Sequence, residues 1–195
     1  MTVTGLPQRG QTLYGPIDDI PASFTNSLLK EGAPMQFMDM APPTAGVPIG
    51  VRRSGMLAHA VLLRNSSAGV LVAGDLIVWE PEYIGRRTNG KTAAAGDYCC
   101  GVVDDHLTYS VRVNDLFWCI YKGPCLVNKI TSAGIADLAI VEASATAGKC
   151  QTQAAPGSAT EAMNDAQSSI GMCIATALTA DTQVLVNLDV RFGGP

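Results

Sequence analysis

The side chains of this chain offer chemistry few starting points. The densest ionisable cluster is Asp104-Asp105-His106, residue types that serve acid–base catalysis or bind a metal. It lies between two apolar segments, where Asp and His are also ordinary turn residues, and the only other imidazole is His59. A turn is the better reading. The six cysteines, Cys99, Cys100, Cys119, Cys125, Cys150 and Cys173, contain no Cys-x-x-Cys pair, so their spacing builds no zinc site. Most sit in apolar runs such as Gly171-Met172-Cys173-Ile174-Ala175, where a thiol behaves as a small buried hydrophobe. The start, Met1-Thr2-Val3-Thr4-Gly5-Leu6-Pro7, has no basic region and no apolar core of a secretory signal, so reduced thiols and synthesis in a cytosol are expected. Ser54, Ser66 and Ser67 lack a Gly-x-Ser-x-Gly context. The run Gly85-Arg86-Arg87-Thr88-Asn89-Gly90-Lys91 lacks phosphate-loop spacing. The sequence thus assigns no catalytic, metal or cofactor-binding residue and no cofactor, and it reads as a non-enzyme.

What remains is a surface. Charged residues make up 15% of the 195 residues against 47% hydrophobic, well below the ~25% charge of ordinary soluble domains. A surface so poor in charge implies that something covers it. The net charge of −4 gives no electrostatic case for nucleic acid as a direct partner. No segment reaches the ~18 apolar residues that span a membrane as a helix, so no membrane partner is expected. On this acidic chain Arg52-Arg53 and Arg86-Arg87 are two small basic points able to meet carboxylates on a partner. With the apolar residues Tyr14, Phe24, Leu28 and Phe37 they form the candidate interface.

The elements that would position these residues change character near residue 50. Seven of the 11 prolines fall at or before Pro48, and proline fixes φ and removes a donor. Residues 1–50 therefore read as an extended N-terminal arm, or equally as a long loop wrapped on its own domain, interrupted at most by a short helix over Ala22–Glu31. From Val51 to Pro195 the text is strand and turn. Strands are expected at 58–63, 70–72, 76–79, 107–113, 116–121 and 125–127, with Gly123-Pro124 a break between the last two. Asn89-Gly90 predicts a hairpin turn. The alternation Val184, Val186, Leu188, Val190, Phe192 predicts a half-buried final strand. Residues 159–166 have room for one or two helical turns. Many short strands separated by turns imply an all-β fold of antiparallel strands, a β-barrel or a β-sandwich.

The order of short motifs resembles the head-decoration, or capsid cement, proteins of tailed bacteriophages. The pieces are Gly74–Val78, Ala95–Asp97, Gly101–Val103, Trp118–Val127, Ile170–Ala175 and Val184–Phe192. The resemblance spans about residues 70–192. It implies a structural protein on the capsid exterior that clamps neighbouring copies of the major capsid protein. It also implies self-association, as a homotrimer or alternatively a dimer. A different class, a carbohydrate-binding or adhesive β-domain such as a head fibre or receptor-binding module, would call for an exposed aromatic pair. A β-barrel enzyme would call for a pocket converging on Asp105 and His106.

Overall fold

A computed structural model describes residues 12–13, 31–40 and 52–190. These form one eleven-stranded sheet with a single helix: β1 (Thr12–Leu13), β2 (Pro34–Met40), β3 (Arg52–Asn65), β4 (Leu76–Trp79), β5 (Arg87–Lys91), β6 (Gly101–Val103), β7 (Leu116–Asn128), β8 (Ile140–Ala143), β9 (Cys150–Thr152), α1 (Ala159–Ser168), β10 (Ser169–Cys173) and β11 (Gln183–Asp189). The fold is all-β, as the strand-and-turn text predicts.

The expected choice between barrel and sandwich resolves into a mixture. β3, β5, β4, β6 and β7 pair in that order, and β7 returns to β3, closing a five-stranded ring. The sheet then continues from β7 through β11, β10, β8 and β9 as an open extension. Every pairing between named strands is antiparallel except β3 with β5. Strands shared by two packed faces must be apolar on both, and β7 reads Leu116-Phe117-Trp118-Cys119-Ile120 for that reason. Its alternate residues enter two separate cores. Phe117 and Cys119 join Val61, Leu63, Ile77 and Val103. Leu116, Trp118 and Ile120 join Ala60, Leu62, Leu76 and Val102, together with Val184, Val186 and Leu188 of the final strand. The predicted buried face of that strand is seen from Val184 to Val190; Phe192 lies outside the described residues.

Gly123-Pro124 does not break the chain as expected. β7 runs through it and exchanges neighbours. Up to Lys122 it pairs with β3, and from Lys122 to Asn128 with β11. Gly123 has φ +92°, and a Cβ there would lie 2.2 Å from the Leu57 carbonyl oxygen. Only glycine lets the two backbones approach so closely. Two further expectations are corrected. Asn89-Gly90 is not a hairpin tip but lies within β5, where Gly90 has φ +118° and a Cβ would lie only 3.0 Å from the Ser67 Cβ. The link between β4 and β5 is instead a 3-10 turn over Pro81–Tyr83. The alternating run 107–113 yields only a single bridge, Val111 to Leu71, with Leu107 and Val111 buried and Tyr109 and Val113 exposed.

Where the structure describes the segment before residue 50, it lies against the sheet of the domain. Thr12–Leu13 pairs with Phe117 and Leu116 of β7, and Pro34–Met40 lies along β3 as a strand of the domain. Proline is accommodated because Pro34 begins β2 rather than interrupting it. The expected helix over 22–31 and the remainder of the arm lie outside the described residues, Glu31 excepted. The helical turns expected near 159–166 are α1. Ser158 accepts a hydrogen bond from the Glu161 amide at 3.2 Å, while the Glu161 carboxylate reaches back to the Gly157 amide at 2.7 Å, a reciprocal cap of the N-terminus.

Loops after β7 are tied by a fully buried Lys129, whose ammonium donates to the carbonyls of Ile130 (2.8 Å), Ala133 (3.0 Å) and Thr179 (3.4 Å).

Gly123→Ala should destabilise the protein by about 2 kcal/mol or more, because positive φ and a backbone collision add. Gly85→Ala, at φ +79° with open space around it, should cost only about 1 kcal/mol. Denaturant midpoints of the two variants check the difference.

Candidate interaction surface

The basic residues singled out by sequence find carboxylates within their own chain. Arg53, at the start of β3, reaches into a pocket of two buried acids. Its Nε and Nη2 donate to Asp39 Oδ1 of β2 at 3.0 and 2.6 Å. Its Nη1 donates to Asp105 Oδ2 at 2.9 Å, and Nη2 also meets the Pro124 carbonyl at 3.2 Å. Both acids are buried and Arg53 nearly so. Burial by itself would lower the Arg53 pKa, but hydrogen bonds and charge from Asp39 and Asp105 outweigh it, and the group sits above its ordinary value. Arg53 is therefore an internal tie and not a docking point. Arg52 belongs to β3, but its side chain lies outside the described set.

The second cluster gathers three arginines on Glu31. Arg64 at the end of β3 and Arg87 at the start of β5 are partners across the parallel pair. Arg64 Nε donates to Glu31 Oε1, while Arg86 and Arg87 reach Oε2 at 3.4 and 3.3 Å. Arg87 also stacks on the Tyr83 ring, 4.0 Å from its centroid, a cation–π contact. Arg86 stays more than half exposed. An exposed arm of a pair contributes little to stability, so Arg86 alone keeps the character of an available cation.

Phe37, expected at the interface, is buried. Its ring meets Trp118 edge-on at 5.4 Å between centroids, because β2 lays that face on the core. Tyr14, Phe24 and Leu28 lie outside the described residues.

Asp104, Asp105 and His106 do form a turn after β6, but they are buried and bonded rather than solvated. Asp104 Oδ1 accepts from the His106 amide at 3.2 Å. Asp105 Oδ2 accepts from the Leu126 amide at 2.9 Å as well as from Arg53. His106 Nε2 lies 2.9 Å from the Met40 carbonyl, which fixes this nitrogen as the proton donor. The sequence signal for this role, two acids and a histidine between strands, is the same as for a solvent turn. Only the partners, 52 and 66 residues away, distinguish the two. Among the described residues no group of three or more His, Cys, Asp or Glu side chains gathers as a metal site.

All six cysteines are buried free thiols. Burial is the main force raising the Cys99, Cys100, Cys150 and Cys173 thiols, Cys150 to about 12.

Large apolar side chains also stay open to a partner. The exposed large hydrophobics include Leu138, Ile140, Met172, Ile174 and Leu178, all in or beside β8 and β10.

No family model matches the chain, and no curated protein matches it at a significant level. Among solved structures, the head fiber gp8.5 N base of bacteriophage phi29 resembles it at 14% identity, covering 69% of this chain and 98% of that one, with a TM-score of 0.43. The superposition is too loose to transfer either fold or function.

Asp105→Ala should cost about 2 kcal/mol, since it leaves the buried Leu126 amide without its acceptor and takes one of two acids from Arg53, which keeps Asp39. His106→Ala, which removes the donor to Met40, should cost about 1 kcal/mol. Chemical denaturation measures both. The Cys150 pKa is raised in the folded state from 9.0 to about 12. The unfolded thiol therefore ionises first, and its contribution to stability is complete below pH 9.0 and lost as pH rises toward about 12. Denaturant midpoints should fall across that window, and iodoacetamide should leave the native protein unlabelled at neutral pH.

Proposed function

We propose that the chain is a structural virion protein that decorates and stabilises the outer surface of a tailed-phage capsid by clamping neighbouring major capsid proteins. The observation that supports this most is the division of labour among its side chains. Asp105, His106, Arg53 and the thiols are committed to holding the sheet together, while the exposed β8–β10 surface carries large apolar residues. Such surfaces mark protein contacts. The motifs that carry the family resemblance fall on β4, β6, β7, β10, β11 and the turn at Gly96-Asp97. They therefore describe a scaffold, not a reaction centre.

The mechanism is mass action. A ligand that binds only the assembled shell stabilises it, by about 2.7 kcal/mol per site at a hundredfold excess over Kd. Many copies add their effects over the lattice. The adhesive or carbohydrate-binding alternative calls for exposed paired rings. Phe37 meets buried Trp118, and His59 meets Tyr121, while the rings of Tyr98 and Tyr109 are exposed, so the adhesive reading stands as the second one.

Purified protein mixed with capsids lacking it should co-sediment at a fixed ratio to the capsid protein and raise the temperature at which DNA is released. Protein that stays in the supernatant at micromolar concentrations, or binds oligosaccharide arrays instead, overturns the proposal.

A further inference from the structure

The extension β7–β11–β10–β8 has one face in the core and one outside. Along β11 the outer positions alternate as Gln183, Leu185, Asn187 and Asp189, whereas toward β10 and β8 the outer face turns apolar, beginning with Met172 beside Asn187. On the inner side lie Val127, Val184, Val186, Cys173 and Val141. On the outer side Met172 stands directly across from Ile140. The Ile174 amide bonds the Leu185 carbonyl at 2.9 Å, and Leu185 in turn faces Leu126. Leu138 extends the patch. Its amide donates to the Cys173 carbonyl at 3.0 Å, and its φ of +61° puts a leucine in the left-handed region. Strained backbone of this kind persists where the surroundings or a function demand it. Leu178 follows the Ile135–Ala177 bridge at the far end. Leu138, Ile140, Met172, Ile174 and Leu178 are between 39% and 67% exposed.

We propose that this outer face is the surface through which the chain associates with a second copy of itself. Area argues for that occupant. The five exposed residues present about 500 Å² of surface, at the upper end of what a monomer exposes in one patch. A standard interface buries about 800 Å² per partner, and interfaces between identical chains are about 65% apolar. The patch thus matches the apolar share of a self-interface. A self-interface also needs no opposite charge across it, and the five residues carry none. The inference deepens the reading of the chain as an oligomeric shell component and rests on it only for biological use.

Two measurements on the full-length protein test this without capsids. In light scattering across micromolar concentrations the wild type should exceed monomer mass. Met172→Lys and Ile140→Asp should weaken association at least tenfold while keeping the native circular dichroism spectrum. Val70→Asp, at an exposed site beside the Leu71–Val111 bridge, should leave it unchanged. The second measurement needs no variant. Under mild peroxide, Met172 should oxidise several-fold more slowly than Met163 on α1 at high concentration, and the protection should fade on dilution. A monomeric wild type, variants that associate like the wild type, or Met172 oxidised as fast as Met163 at high concentration each overturn the inference. Protection of Met172 that appears only when capsids are added assigns the face to the shell; it removes the self-interface and leaves the decorating role standing. Self-association through this face without capsid binding has the opposite meaning.

Discussion

Everything in this molecule hangs on β7 and on the crossing at Gly123. One edge of the strand is taken by β3. The other is taken in succession by β1, β6 and β11. A strand that serves both a closed ring and an open sheet must be apolar on both faces and must turn without losing its backbone partners. The first demand gives the unbroken run Leu116–Ile120. The second gives a glycine where the Leu57 carbonyl leaves no room for a side chain. Pro124, which has no N–H to offer, follows where the β3 edge has ended, and its carbonyl is used by Arg53.

The two ionic clusters solve a related problem. β2 is the outer strand of its edge, and a strand there is prone to slip in register. Asp39 and Glu31, at either end of the 31–40 segment, are held by Arg53 and by Arg64, Arg86 and Arg87 respectively. Buried ion pairs add little net stability, because desolvation offsets attraction. They discriminate strongly against mispairing, since a slipped strand leaves the charge without its partner.

Much of the fold was legible from residues 58 to 190 because the hydrophobic pattern is strong there. Val184 to Val190 alternate and are buried in alternation, and Leu76–Trp79 is the predicted strand. The failures share a cause. In β2 the inward-facing Phe37 is followed at Asp39 by an inward charge, while Met38 points outward, so no amphipathic signal survives. At Gly123 and Gly90 local sequence signals a turn, whereas the actual requirement is close passage of a strand or loop distant in sequence. Two of the candidate interface residues were illegible for the same reason. Arg53 and Phe37 look like surface residues until Asp39, Asp105 and Trp118 are brought to them, and no local pattern encodes that meeting. The apolar outer face of β8 and β10 was hidden too, since Ile140, Met172 and Ile174 read simply as strand residues until their facing is known.

Lys129 carries a consequence of its own. Its three donors match three carbonyl oxygens from two separate loops, the arrangement a small cation would take in the same cage. Here the cation is tethered by a covalent stem, so it cannot be diluted away, chelated or exchanged. The junction between the segments near 130 and 179 is thus held without a free ion that the ionic composition outside could supply or withdraw.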